Sequence, residues 1–320
     1  PSKRTLRLRS YLKRRALRTG LNAAGHFHRI YNHMAVATMR KLLQENFQGD
    51  GGLPYDEKSL NDFAKFECKG CAAGLAKRLA FYGTWTNPRN PNEMICFTDT
   101  WGPSIKPAYG GFFYYRLFYC RRGGAVFVWL MRSESEVCVV TEKFFITYHA
   151  KYGCLPTLMI MDGAGNNRSG KMAKLVSSKG CRIEFVPPHE GNANLAETMI
   201  NVVTRGARAH LMNCTLGHKA WGLAVKFAAY MHVRIPKFAS LQSPFEVDTG
   251  VKEALDHPAA FGDKAWVHRP HDAREKAREE KMSAAAIPGF FVGYSEKAPG
   301  VMVVFHPDAK TREGRFSLRR

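Results

Sequence analysis

The sequence has no long apolar run, few acidic residues and almost no cysteine pattern. No apolar stretch approaches the roughly 18–20 residues that a membrane-spanning helix requires, and no signal-peptide segment follows the basic N-terminus. Of eight cysteines, only Cys68 and Cys71 form a motif, and the others are predicted to be buried thiols. We therefore expect no membrane partner, a reducing compartment and no disulfide framework. The chain begins with Pro1 rather than Met, so we expect an excerpt or a processed piece.

Acidic residues are outnumbered, because 48 Lys and Arg stand against 27 Asp and Glu, for a net charge of +21. Such an excess favours a polyanionic partner. The first 19 residues hold eight basic residues and no acid. We predict a basic arm over residues 1–22. It is either a solvated segment or a phosphate-binding arm or nuclear-import signal, and these interpretations are compatible.

Two histidines and two cysteines have the spacing of zinc ligands: His28, His33, Cys68 and Cys71. Imidazoles and thiolates together suit tetrahedral zinc, which accepts both donor types. The alternative is a pair of surface histidines and a free pair of thiols, and His26 is a spare candidate ligand. We predict a small helical zinc-binding domain over residues 23–81, because a structural metal would supplement its thin core.

Composition divides the rest of the chain. Residues 82–94 hold two Pro, three Asn and a Gly, which predicts a linker. Residues 95–256 show three successive strand patterns, then helix, strand, helix, strand and helix. This order predicts an α/β fold with a mixed sheet and flanking helices. Residues 257–320 change to short apolar runs and turns around a charged segment at 272–282, which predicts a small β-rich module.

Three acids in the predicted α/β core stand where apolar elements end or begin. Asp99 lies in MICFTDTWGP, Asp162 follows LPTLMIM, and Glu197 lies at the start of a predicted helix, with 34 residues between it and Asp162. A carboxylate among such apolar residues needs a partner, a hydrogen bond or a metal. The alternative is three ordinary acids among 27.

The helix that carries Glu197 has a polar face. On a 3.6-residue period, Glu197, Asn201, Arg205 and Arg208 share one side. A carboxylate followed by amide and guanidinium groups suits a metal ion first and DNA phosphate beyond it. An ordinary solvated face is the alternative interpretation.

The order of these motifs resembles the integrase of copia-type LTR retrotransposons. HRIYNH followed by CKGCAAGLAKRLAF is similar to the family's zinc-binding pre-integrase segment. FTDTWGP, MDGAG and NANLAE are similar to the three acidic blocks of the catalytic core. PFEVDTG and FFVGYSEKAPGVMVVFHPDAK are similar to the region that follows it. The resemblance covers roughly residues 24–310.

This resemblance implies a ribonuclease H-like core in which Asp99, Asp162 and Glu197 match the catalytic triad. It implies an enzyme that joins the 3′ ends of element DNA to double-stranded target DNA by two-metal phosphoryl transfer. Asp99 would bridge two Mg²⁺ (or Mn²⁺) ions, and the other two acids would each hold one. It also implies Zn²⁺ in the N-terminal domain, a homo-multimer, and a polyprotein origin. The expected location is the nucleus, with a cytoplasmic virus-like-particle stage.

Two motifs depart from the family pattern. The usual Asn-Gly-Gly after the second acid is here Gly163-Ala164-Gly165, and the usual Asn-Gly-x-Ala-Glu-Arg around the third is Ala193-Asn194-Leu195-Ala196-Glu197-Thr198. These departures keep two other interpretations open. One is a catalytically decayed, zinc-containing DNA-binding protein. The other is an assembly module of the parent polyprotein.

Overall fold

A computed structural model describes most of the chain between residues 22 and 319. The described ranges are 22–45, 53–66, 68–74, 93–163, 165–186, 194–237, 240–252, 259–268, 284–295, 301–307 and 315–319. The predicted basic arm up to residue 21, most of the predicted linker and the charged segment at 272–282 lie outside these ranges.

The N-terminal segment folds as four short helices: α1 (Ala23–Ile30), α2 (Val36–Gln44), α3 (Glu57–Ala64) and α4 (Lys69–Gly74). Side-chain caps explain where two of them begin. The Asn22 side chain accepts from the Gly25 N–H at the start of α1, and Asp56 and Ser59 form a reciprocal capping box on α3. The helix predicted from MAVATMRKLL is present as α2.

A five-stranded mixed sheet forms the centre of the molecule. Its strands are β1 (Ile95–Trp101), β2 (Tyr114–Cys120), β3 (Val126–Met131), β4 (Leu158–Met161) and β5 (Arg182–Phe185). The spatial order is β3-β2-β1-β4-β5, with β1, β2 and β3 antiparallel and with β4 parallel to both β1 and β5. The predicted mixed α/β sheet is confirmed.

Helices cover both faces of this sheet: α5 (Val137–Tyr152), α6 (Gly170–Ser178), α7 (Leu195–Met212), α8 (Trp221–His232) and α9 (Pro244–Thr249). Alternate residues of β2 decide which helices pack on which face. Phe118 joins the cluster formed with α5 and α6, whereas Leu117 joins the cluster formed with α7 and α8. Helix α5 buries five large apolar residues on one side: Val137, Val140, Phe144, Phe145 and Tyr148.

A second, antiparallel sheet follows in the order β6-β7-β8-β9. Its strands are β6 (Lys264–His268), β7 (Ala286–Tyr294), β8 (Met302–His306) and β9 (Arg315–Arg319). Short apolar runs in the sequence predict strands at β6, β7 and β8. We predicted no strand at β9, which lies in a basic segment.

One of the two hydrophobic clusters joins the N-terminal helices, the central sheet and the second sheet. A single cluster of buried side chains includes Phe27 of α1, Tyr115 of the central sheet, Phe227 of α8 and Phe305 of the second sheet. The division into a zinc-binding domain, a catalytic core and a C-terminal module stays a prediction, and in the folded chain these parts pack together. Within the described ranges, no helix combines the length and the apolar character that a membrane span requires.

Candidate active site and metal centre

Two of the three predicted acids lie at the same edge of the central sheet. Strands β1 and β4 are parallel, and their register pairs Phe97 with Ile160. The same register continued by two residues brings Asp99 level with Asp162, and neighbouring strands run about 4.7–4.9 Å apart. Both side chains are half-buried. The strand pairing therefore places two carboxylates side by side.

Helix α7 brings the third acid, Glu197, to this edge. The Asn194 side chain caps the helix by accepting from the Ala196 N–H at 3.1 Å, and its Nδ2 donates to the Thr98 carbonyl of β1 at 3.4 Å. Glu197 lies in the first turn and is exposed. A carboxylate is favoured there by the helix dipole. In the sequence, Asn194 is only a residue of the motif around Glu197. In the structure, its side chain links α7 to β1.

The charges of the three acids act on one another. Burial raises the pKa of Asp99 to about 6, the Thr100 backbone N–H opposes that rise, and the negative charges of Asp162 and Glu197 add to it. Such mutual repulsion is what converging carboxylates produce before a cation neutralises them. The structure thus brings together the three acids that the sequence predicted.

Hydrogen bonds orient two of these carboxylates. The Thr100 N–H donates to Asp99 Oδ1 at 2.7 Å, and the Asn167 side chain donates to Asp162 Oδ1. Their oxygen donors suit a hard cation such as Mg²⁺. Among the described side chains, however, the only group of three or more His, Cys, Asp and Glu compact enough to hold an ion is a different one. The three acids are therefore near one another, but their carboxylate oxygens are not yet close enough together to hold an ion.

The predicted DNA-binding residues differ in exposure along α7. Asn201 and Arg208 are exposed, whereas Arg205 is half-buried and donates from Nε to the Asn201 carbonyl at 3.2 Å. The opposite side of the helix is buried and includes Ala196, Ile200 and Val203. The outward face therefore presents an amide and guanidinium groups beyond Glu197.

The compact group consists of the four predicted zinc ligands: His28, His33, Cys68 and Cys71. One donor atom from each lies within 4.8 Å of all the others. His28 Nε2 lies 3.1 Å from His33 Nδ1 and 3.1 Å from Cys71 Sγ, and His33 Nδ1 lies 3.4 Å from Cys68 Sγ. Zinc bonds of about 2.0–2.3 Å give a tetrahedron whose edges are roughly 3.3–3.8 Å. The donor set and its spacing therefore fit a zinc ion, and His26 is not part of the group.

The surroundings favour the metal-binding forms of Cys68 and His28. Cys71 and both histidines lower the pKa of the Cys68 thiol, with the Cys71 hydrogen bond as the largest cause, which favours the thiolate that zinc requires. The hydrogen bond with Cys68 and burial raise the pKa of Cys71, so one of the two thiols keeps its proton until a metal displaces it. His28 Nδ1 donates to the Met34 carbonyl at 2.9 Å, which leaves Nε2 free for a metal. His33 adopts a left-handed backbone conformation with φ 58°, uncommon for a side-chain-bearing residue. Its neighbours must hold that conformation.

This histidine–cysteine cluster packs against the C-terminal end of α7. The Asn213 side chain lies 3.2 Å from His33 Nε2, and the His33 and His210 rings are 5.5 Å apart. A Cβ atom on Gly74 of α4 would lie 2.5 Å from the Ala209 backbone nitrogen, so only glycine permits this approach. The helix that carries Glu197 in its first turn therefore ends at the cluster.

A close contact explains why a glycine, Gly206, lies within α7. Asn32, from the segment between α1 and α2, lies where a Cβ on Gly206 would meet its Oδ1 at 2.6 Å. The close contact is thus with the N-terminal segment.

Two residues near the acids were not predicted from the sequence. Tyr115 on β2 forms a 2.7 Å hydrogen bond with Thr204 Oγ1 and so fixes the middle of α7 to the sheet. Arg116 is fully buried on β2, and burial lowers its pKa to about 10. Strand alternation gave no signal for either, because apolar residues surround both.

The chain has a relative among curated proteins. No model of a known protein family matches it. Over 250 residues it is 26% identical to the retrovirus-related Pol polyprotein from transposon TNT 1-94 of Nicotiana tabacum. The alignment covers 76% of this chain and 18% of the polyprotein, so the chain spans about a fifth of this relative's length.

Two of the solved structures that the chain resembles are retroviral. The catalytic core domain of HTLV-2 integrase in complex with magnesium, in its trimeric form, has a TM-score of 0.38 and 15% identity, over 49% of this chain and 96% of that one. The intasome of simian T-cell lymphotropic virus, in complex with the PP2A regulatory subunit B56 gamma, has a TM-score of 0.42 and 12% identity, over 89% of this chain and 98% of that one.

The central mixed sheet and its flanking helices confirm the predicted α/β architecture. The polyprotein match confirms that the chain resembles an integrase of the LTR-retrotransposon kind, as the motifs indicated.

Proposed function

We propose that the chain is a copia-type integrase that joins the 3′ ends of element DNA to double-stranded target DNA. One observation carries the proposal: the register of β1 and β4 places Asp99 beside Asp162, and the bond from Asn194 to β1 holds the first turn of α7, with Glu197, at the same edge. Phosphoryl transfer by metal-dependent enzymes requires such a convergence of oxygen ligands.

Each acid has a defined task in this proposal. Asp99, Asp162 and Glu197 would hold Mg²⁺ or Mn²⁺, which when bound activates an oxygen nucleophile and stabilises the leaving oxygen of a phosphodiester. The Thr100 N–H keeps the Asp99 carboxylate oriented, and Asn167 does the same for Asp162. Asn194 fixes the first turn of α7, and with it Glu197, against β1. Positioning and charge stabilisation account for most of the catalysis.

Double-stranded DNA is the proposed partner, because the net charge of +21 suits a polyanion. Asn201, Arg205 and Arg208 would contact phosphates beyond Glu197. Each phosphate contact lowers log affinity by about 0.9 per log unit of salt. Since integration joins two DNA ends, we expect a homo-multimer. The proposed location is the nucleus, with a cytoplasmic virus-like-particle stage.

The four-ligand cluster is proposed to bind one Zn²⁺ as a structural ion. Its donor atoms are buried or half-buried and already lie at the distances that a tetrahedral site needs. Zinc there would stabilise the N-terminal helices and, through Asn213 and Gly74, hold the far end of α7.

A decayed, non-catalytic DNA-binding protein with the same zinc site is the second candidate. Within the described residues, the three acids do not form a group compact enough to hold an ion, which favours this second candidate. The altered residues after Asp162 and Glu197 point the same way.

A DNA-joining assay separates the two candidates. Zinc-loaded wild type, Glu197→Gln and the exposed control Glu142→Gln would be incubated with labelled element ends, target DNA and Mg²⁺ or Mn²⁺. We expect joined products from wild type and Glu142→Gln, none from Glu197→Gln, and equal DNA affinity for all three. Absence of joining by all three, with DNA binding intact, would refute the enzyme and support the second candidate.

A further inference from the structure

Arg116 is a fully buried cation beneath the candidate active site. Its exposed fraction is 0%. It lies on β2 opposite Thr100, the residue after Asp99, and its Nη1 donates to Thr100 Oγ1 at 2.9 Å. The other two guanidinium nitrogens, Nε and Nη2, are buried without a hydrogen-bond partner. A buried guanidinium with one neutral partner is costly, since burial normally demands full pairing.

The position of Arg116 relative to the acids follows from strand alternation. Leu117, the register partner of Asp99, belongs to the cluster on the α7 side, whereas Phe118 belongs to the cluster on the α5 side. Arg116 shares the Phe118 side, with its guanidinium carbon 5.5 Å from the centre of that ring. The cation thus lies on the opposite face of the sheet from Asp99.

The charge of Arg116 nevertheless reaches the acids. With its pKa lowered to about 10 by burial, Arg116 remains protonated at neutral pH, and the negative charges of Asp99 and Asp162 oppose that lowering. Reciprocally, Arg116 lowers the pKa of Asp99. Because protein and not water separates these groups, the interaction is weakly screened.

We infer that Arg116 is a resident positive charge of the site, which partly neutralises Asp99 and Asp162 and weakens their binding of a divalent cation. The inference rests on the proposed function, because it assumes that these acids bind the metal. In the metal-free protein, the positive charge of Arg116 stabilises the ionised carboxylates of Asp99 and Asp162. At the same distance, Arg116 repels a divalent cation more strongly than it attracts one carboxylate. Arg116 therefore sets the metal concentration at which the site fills.

The test is a Mn²⁺ titration of zinc-loaded protein, followed by electron paramagnetic resonance. Arg116→Met removes the charge and the orphan donors and keeps an unbranched side chain. Arg116→Gln is a second neutral variant that retains a donor for Thr100. The matched control is Arg122→Met, which removes an exposed arginine from the turn between β2 and β3. Asp99→Asn, alone and combined with Arg116→Met, shows whether the measured Mn²⁺ binds at the acids.

We expect Arg116→Met and Arg116→Gln to bind Mn²⁺ about tenfold or more tightly than wild type, Arg122→Met to match wild type, and Asp99→Asn to abolish the gain. Equal affinity of wild type and both Arg116 variants, with binding still dependent on Asp99, would overturn the inference and leave the proposed function intact. An equal gain in Arg122→Met would also overturn it. No Asp99-dependent binding in any protein would overturn both.

Discussion

Asp99 is in an environment that opposes its own charge. The residue is enclosed by the sheet and by α7, and the other two acids are its electrostatic neighbours, so its pKa rises to about 6 from the usual 3.8. A catalytic site gains from this conflict, because a bound cation relieves the repulsion that remains between the three acids. Without the cation, the same residue costs stability.

The pH dependence of stability follows from the raised pKa. Below about pH 4 the Asp99 carboxyl is protonated in both the folded and the unfolded chain. Between about pH 4 and 6 this carboxyl is ionised in the unfolded chain while it is still protonated in the folded chain. The free energy of unfolding therefore falls as the pH rises through this range. We predict that Asp99→Asn, which keeps an oxygen to accept from Thr100, becomes more stable than wild type over this range, by at most about 3 kcal/mol. Urea unfolding of zinc-loaded, magnesium-free protein at several pH values measures this difference.

The exposed acid Asp62 supplies the control for this measurement, since Asp62→Asn changes a surface side chain and should alter the free energy of unfolding by less than about 0.5 kcal/mol. A stability difference between wild type and Asp99→Asn that stays constant from pH 4 to 7 would contradict the assigned environment of Asp99.

Helix α7 connects the two candidate metal sites. Its N-terminal turn carries Glu197 and is fixed to β1 by Asn194, and its C-terminal end contacts His33 through Asn213. Tyr115 holds its middle through Thr204. A rigid helix fixed at three points transmits a displacement at one end to the other, so Glu197 depends on the integrity of the N-terminal segment.

The cap of α7 can be tested by Asn194→Ala. Loss of the bond to the Ala196 N–H and of the bond to the Thr98 carbonyl should lower the free energy of unfolding by about 1–2 kcal/mol. Asn201→Ala, on the exposed face of the same helix, should cost less than about 0.5 kcal/mol. Chemical denaturation compares the two, and equal costs would show that Asn194 has no special role.

Several elements could be predicted from the sequence because their signals are local. The apolar runs around Asp99 and before Asp162 predict strands, and the four zinc ligands follow from their spacing in the sequence. Arg116 could not be predicted as buried, because burial depends on how β2 pairs with β1 and packs on α5. A basic segment also concealed β9, since backbone pairing with β8 forms it.

At the scale of the whole molecule, the shared core makes the parts of the chain interdependent. The N-terminal helices contribute Phe27 to the cluster that also holds Phe227 and Phe305. The contact between Gly74 and Ala209 was invisible in the sequence, because it joins residues far apart in the chain that only the folded structure brings together. The integrity of the N-terminal segment should therefore affect the entire fold.

Zinc removal tests this interdependence. We expect one bound zinc per chain in wild type and almost none in Cys68→Ser, with the unfolding temperature of the chain lowered by at least about 10 °C. Cys138→Ser changes a half-buried cysteine on α5 outside the cluster and should retain both zinc and stability. Metal analysis and circular dichroism measure these quantities; a Cys68→Ser protein that keeps its zinc would exclude the assigned site.

The central claim is that Asp99, Asp162 and Glu197 form one metal-binding catalytic site. The most direct test is anomalous diffraction from crystals of zinc-loaded protein grown with Mn²⁺. The account predicts manganese peaks between the three carboxylates and a zinc peak among His28, His33, Cys68 and Cys71. Manganese bound elsewhere, or the three carboxylates apart with no peak between them, would contradict it.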